Sequence, residues 1–163
     1  MALALMLGAC ANAPAPAFAA HPEARLYDAG ADALADVDAA LARAAASGKR
    51  VMLVLGANWC HDSRALAGWL ETPRFAALTA ARYEVVFVDV GSPQTDEGRN
   101  LDIARRFGLP DMVGTPALLV LDADGTAVNL DTAASWRDAA SRSEDAIFAE
   151  LAALAESTAP SQQ

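Results

Sequence analysis

Arg50-Val51-Met52-Leu53-Val54-Leu55-Gly56-Ala57-Asn58-Trp59-Cys60-His61-Asp62-Ser63-Arg64 is the stretch on which the fold turns. Its first part, Val51 to Leu55, is a compact apolar run of the kind found in a strand buried on both faces, as in a parallel sheet covered by helices. From Cys60 to about Glu71 the pattern becomes helical, with Leu66, Trp69 and Leu70 forming an apolar stripe. Cys60 therefore falls at a strand-to-helix junction, where unpaired backbone N–H groups and the positive end of the helix dipole favour a thiolate. Ser63 lies one helical turn on, and its hydroxyl is placed to donate to that sulfur. His61 adds positive charge when protonated, whereas Asp62 disfavours a second anion beside it, so the net effect on the thiol stays open. The plainer readings are a small buried Cys60, a first-turn polar Ser63, a solvated His61 and an Asp62 that complements the helix dipole.

Working outward, Arg25-Leu26-Tyr27 reads as a short edge strand. Asp32 to Ala46 carries Leu34, Val37, Leu41 and Ala44 at helical spacing and stops at Gly48. Pro73 marks a break, after which Phe75 and Leu78 continue a packing face. Tyr83 to Val90 is a second buried strand, Gly91 to Gly98 a polar loop, and Asn100 to Phe107 a short helix stopped by Gly108 and Pro110. Pro116 opens a strand over Ala117 to Leu121. Asp122-Ala123-Asp124-Gly125 is a tight turn, and Thr126 to Leu130 returns as an antiparallel partner. A last helix spans Glu144 to Glu156. The alternation implies an α/β fold with a mixed central sheet of four to five strands flanked by helices.

The chain has 163 residues, enough for one domain with its own core. Its 21 acidic against 12 basic residues give a net charge of −9, with no offsetting basic cluster, which argues against nucleic-acid binding. The two cysteines, Cys10 and Cys60, and the two histidines, His21 and His61, are too few for a disulfide scaffold or a zinc cage. The adjacent trio Cys60-His61-Asp62 cannot wrap one tetrahedral ion, because neighbouring side chains on a helix diverge. No metal and no cofactor are expected.

With both halves of the pattern in view, Gly56 to Arg64 resembles the active-site run of the thioredoxin superfamily, in which Trp-Cys-x-x-Cys opens the second helix. A second landmark follows about 55 residues on: Val113-Gly114-Thr115-Pro116-Ala117-Leu118-Leu119-Val120-Leu121-Asp122 resembles the segment that holds the family's cis-proline, with Phe107-Gly108 before it and Asp124-Gly125 after it also matching. The resemblance covers roughly Arg25 to Leu154. It implies a thioredoxin-like fold, a cis Thr115-Pro116 bond beside Cys60, and a substrate-docking role for Thr115 and Pro116, with Trp59 and His61 flanking the thiol. The chain departs from the family in two places. Ser63 stands where the second cysteine would be, and Val54 where thioredoxins tend to keep a buried acid. A serine cannot resolve a mixed disulfide, so the motif supports the first half of thiol–disulfide exchange through Cys60 and not its intramolecular completion.

Residues 1–22 read as an export signal or lipoprotein signal with an Ala/Pro-rich tether, 23–157 as the thioredoxin-like domain and 158–163 as a frayed tail. Leu7-Gly8-Ala9-Cys10 resembles a bacterial lipobox, which would lipidate Cys10 and anchor the protein to a membrane. Ala17-Phe18-Ala19 offers ordinary signal-peptidase cleavage instead, and the absence of a positive n-region weakens both. These readings place an exported bacterial protein on the periplasmic side of the cell envelope, or in the cytoplasm if the segment is not a signal. Expected partners are protein or small-molecule thiols and disulfides. Two functions stand against each other: a monothiol exchange enzyme whose mixed disulfide an external thiol resolves, and a non-catalytic module that binds or retains clients.

Overall fold

A computed structural model of the chain describes residues 21–157. Cys10, the expected export segment, most of the expected tether and residues 158–163 lie outside the described residues. Helix α1 (Ala33–Ser47) starts where the Asp32 side chain accepts a hydrogen bond from the Ala35 N–H and ends at Gly48, whose φ of 73° suits a residue without a Cβ. Strand β1 (Arg50–Gly56) leads into α2 (His61–Leu70). Pro73 opens a separate helix, α3 (Pro73–Arg82), at a position where its missing N–H costs nothing. Then follow β2 (Tyr83–Asp89), α4 (Leu101–Arg106), β3 (Ala117–Leu121) and α5 (Glu144–Glu156), the last capped by Ser143.

The sheet order is β2-β1-β3, with β1 parallel to β2 and antiparallel to β3. Side chains alternate across β1 and so divide the core in two. Val51, Leu53 and Leu55 pack with Val37, Ala40 and Ile103 from α1 and α4. Met52 and Val54 face the opposite layer, with Leu66, Phe75, Trp136 and Ile147. This double burial is what the unbroken apolar run of β1 requires. Among the described residues, no helix is long and apolar enough to cross a membrane.

The α/β class holds, but the sheet has three strands, not four to five. Both missing strands are replaced at least in part by asparagine side chains. At one, Asn58 Nδ2 donates to the Tyr27 carbonyl at 2.7 Å and its Oδ1 accepts from the Tyr27 N–H at 3.3 Å, so Arg25-Leu26-Tyr27 runs as irregular chain. At the other, Thr126 to Leu130 turns back at Gly125 (φ 88°) but makes only an isolated bridge between Leu121 and Ala127 and a Val128 N–H bond to Val120. Asn129 then takes over. Its Oδ1 accepts from the Val120 N–H at 2.8 Å and its Nδ2 donates to the Leu118 carbonyl at 2.9 Å. A side-chain amide thus does the pairing that a longer strand would have done. A further element had no counterpart in the sequence reading: a 3₁₀ helix over Ala133–Ser141, which buries Trp136 completely. Its alanine- and serine-rich sequence carries no repeating large apolar residue to announce it.

Candidate functional site

The junction between β1 and α2 is built from closely fitted parts. A Cβ on Gly56 would come within 2.7 Å of both the Ser63 Oγ and the Tyr27 ring, so only glycine lets those two side chains approach the end of β1. The turn after it closes with a Cys60 N–H to Ala57 carbonyl bond of 3.1 Å. Its outward carbonyls are tied down by guanidinium groups. Arg25 donates to the Asn58 carbonyl at 3.0 Å, and Arg64 to the Asn58 and Trp59 carbonyls at 3.2 and 3.0 Å. Arg64 also pairs with Glu23 at 2.8 Å, and that hydrogen bond, the largest influence, holds the Glu23 carboxyl below its ordinary range.

Cys60 is the N-cap residue of α2, in an extended conformation with no side-chain cap bond. The first-turn N–H groups of the helix therefore lie next to the sulfur's own backbone. The thiol donates to the Thr115 carbonyl at 3.3 Å, and the Thr115–Pro116 bond is cis. The loop before β3 is thus brought directly against the cysteine. Cys60 keeps 8% of its surface exposed and is the free cysteine among the described residues.

Ser63 is fully buried. Its Oγ accepts from the Ala57 N–H at 3.3 Å, and no hydrogen bond joins it to Cys60 among the described residues. The Ser63 carbonyl accepts from the Tyr27 hydroxyl at 3.2 Å. Burial pushes the Tyr27 phenol far above its ordinary value, the hydrogen bond to Ser63 partly opposes this, and Cys60 and Asp89 add smaller upward pushes. Tyr27 therefore stays protonated and acts purely as a donor that fixes the first turn of α2. Val54, where an acid would stand in a dithiol relative, is completely buried among apolar neighbours.

Trp59 is 59% exposed, with its indole N–H donating to the Gly91 carbonyl at 3.0 Å. It forms one wall of an open cavity of about 790 Å³ shared with Arg25, Tyr27, Asn58, Gly91 and Arg99. Cys60 does not line that cavity, which lies beside the thiol and not over it. Asp62 accepts from the Ala140 N–H at 2.9 Å, which docks α2 on the 3₁₀ helix and gives the carboxylate a structural task. His61 is largely exposed, 3.1 Å from Glu23 through Nδ1 and 3.1 Å from His21 through Nε2.

The structure therefore brings Cys60 against Thr115 beside the cis Pro116, leaves Trp59 and His61 exposed on either side of it in sequence, and buries Ser63. Tyr27, Asn58, Arg64 and Glu23 also hold the site, and the sequence reading missed them. Each acts through a contact spanning from five to 41 residues, which leaves no local spacing to read.

The described geometry has clear counterparts. A family model described as thioredoxin-like matches residues 32–123, more than half of the chain. Among solved structures, the crystal structure of a disulphide isomerase from Xylella fastidiosa Temecula1 is similar at 35% identity and a TM-score of 0.72. The match covers 80% of this chain and 96% of that one. The solution structure of a thioredoxin from Thermus thermophilus shares 24% identity with a TM-score of 0.50, covering 73% and 83% of the two chains, a likeness of fold alone. None of the curated proteins compared with the chain matches it.

Proposed function

We propose, for a chain that belongs to the thioredoxin-like family, that it carries out thiol–disulfide exchange through the single nucleophile Cys60. The observation that carries this reading is the placement of the Cys60 sulfur, at the N-cap of α2 and against the Thr115 carbonyl beside Pro116. The disulphide isomerase similar in fold is named for chemistry of this class.

In the first step the Cys60 thiolate attacks one sulfur of a substrate disulfide. A new Cys60–substrate S–S bond forms, the substrate's own S–S bond breaks, and the departing sulfur leaves as a thiolate that takes a proton from water. The free N–H groups of the first turn of α2 favour the attacking anion, while the Thr115 carbonyl favours the protonated resting thiol. Trp59, Thr115 and Pro116 lie next to the thiol in sequence or contact and are where a substrate chain would rest.

The second step needs an outside reagent. Ser63 is an alcohol, is fully buried, and is engaged with the Ala57 N–H. A free thiol, of the glutathione type or from the substrate itself, must attack the mixed disulfide and return Cys60 as thiolate. Electrons balance, since one disulfide is consumed and one is formed at each step. Cell-envelope localisation and lipidation at Cys10 belong to the same proposal. They rest on the sequence of residues 1–22 alone.

Turnover of a peptide–glutathione mixed disulfide, with reduced glutathione as resolving thiol, tests the proposal. Repeated turnover that is lost in Cys60→Ser supports it. A stable adduct that glutathione does not release would favour a client-retaining module on the same fold. No adduct and no turnover would remove both thiol-based readings.

A further inference from the structure

The two histidines of the chain, 40 residues apart in sequence, meet at the exposed end of α2. His21 and His61 approach Nε2 to Nε2 at 3.1 Å, with their rings edge to face and centroids 4.7 Å apart. Each ring is committed at its other nitrogen. His21 Nδ1 lies 3.3 Å from the Pro22 carbonyl, and His61 Nδ1 lies 3.1 Å from the Glu23 carboxylate. Both partners only accept hydrogen bonds, so a neutral ring that uses these contacts carries its proton on Nδ1. In the neutral state this leaves two Nε2 lone pairs facing one another across 3.1 Å, an arrangement that is repulsive unless a cation lies between them.

We infer that His21 and His61 form a binding site for a divalent transition-metal ion of the zinc or copper class, with Glu23 as the positioning residue. An ion about 2.05 Å from each nitrogen would subtend roughly 100° at the observed separation, close to the angle that tetrahedral coordination requires. Imidazole nitrogen suits these ions. The hydrogen bonds at both Nδ1 atoms are the outer arrangement by which proteins fix the tautomer and aim of a metal-binding histidine. Glu23 is itself held, through its other oxygen, by Arg64 at 2.8 Å, and the three side chains offer ligand atoms all within 4.8 Å of one another. The site opens on a cavity of about 470 Å³ lined by Asp62, Asp138 and Arg137, which leaves room for water or a ligand on the remaining coordination positions. Both processing points read in the sequence, before Cys10 and after Ala19, would leave His21 on the mature chain. The trio Cys60-His61-Asp62 diverges along the helix and gives no such site; the second ligand comes from the segment before α1.

The alternative occupant of the gap is a single shared proton. Zinc titration of the full chain distinguishes them, carried out in a Cys10→Ser, Cys60→Ser background so that no thiol takes part and the outcome is separate from that of the exchange chemistry. One saturable zinc ion per chain is expected, followed by calorimetry and by the ring signals of the two histidines, both of which should shift together. His21→Ala and His61→Ala should each weaken binding at least 100-fold, and Glu23→Gln by 10- to 100-fold. Zinc binding that survives both histidine substitutions, or no saturable binding up to millimolar zinc, would overturn the inference and leave the pair as a proton-sharing contact.

Discussion

The Cys60 sulfur donates a hydrogen bond of 3.3 Å to the carbonyl oxygen of Thr115, joining the start of α2 to the loop that enters β3. The contact sets two influences against each other at one atom. A carbonyl oxygen rewards the protonated thiol, whereas the free N–H groups of the helix start reward the anion.

Tyr27 holds this arrangement from below. Tyr27→Phe keeps the ring that fills the space beside Gly56 but removes the hydroxyl that donates to the Ser63 carbonyl, which lies inside α2 and keeps its helical position. The variant should lose about 1 kcal/mol of stability in urea unfolding, the net contribution of one buried hydrogen bond. An unchanged midpoint would show that the hydrogen bond contributes nothing.

Asn129 and Asn58 stand in for strands, yet they should not matter equally. Asn129 is 2% exposed and serves two backbone groups of the central sheet, Leu118 and Val120. Asn129→Ala should cost about 2–4 kcal/mol, because it orphans a donor and an acceptor inside the core. Asn58→Ala, at a partly exposed turn, should cost less, on the order of 1 kcal/mol. Chemical denaturation of the two variants checks the order, and the reverse order would contradict it.

These asparagines also explain how far the sequence could be read. The junction at Cys60 and the buried strands were legible because β1 and β2 are continuous apolar runs and α2 has a regular stripe. The loop at Thr115-Pro116 was legible through its resemblance to a known motif. The sheet's edges were not legible. Arg25-Leu26-Tyr27 and Thr126 to Leu130 have strand-like composition, and only the three-dimensional position of an Asn amide decides that the backbone is satisfied without a ladder. The pairing of His21 with His61 is of the same kind, a contact made by tertiary structure and invisible to spacing.

A second thiol alone should not restore dithiol chemistry. Ser63→Cys would place sulfur at a fully buried position beside the Ala57 N–H, with Val54 offering no base to deprotonate it. In a disulfide-reduction assay with a dithiol reductant, the variant should gain little over wild type. Efficient multiple turnover would contradict the reading of Val54 and Ser63 as a matched loss.

Glu84 should contribute an acid-sensitive part of the stability. The Arg43 hydrogen bond, aided by Lys49 and opposed by burial, holds its carboxyl below the ordinary value. A carboxylate whose folded pKa is depressed stabilises the fold fully above its unfolded pKa of about 4.3 and loses that contribution as pH falls through the lower folded value. The stability difference between wild type and Glu84→Gln should therefore be present near neutral pH and shrink as pH drops below about 4. A difference that does not change with pH, measured by urea unfolding across that range, would rule out this role.

The central proposal is that Cys60 begins exchange and Ser63 does not finish it. Intact-mass measurement after mixing the reduced protein with oxidised glutathione tests it most directly. The account predicts one glutathione per chain, attached at Cys60, absent in Cys60→Ser, stable after the small molecules are removed, and released only when free thiol is added. An adduct that decays unaided at the same rate, or a wild-type protein that takes up no glutathione while Cys60 remains reduced, would contradict it.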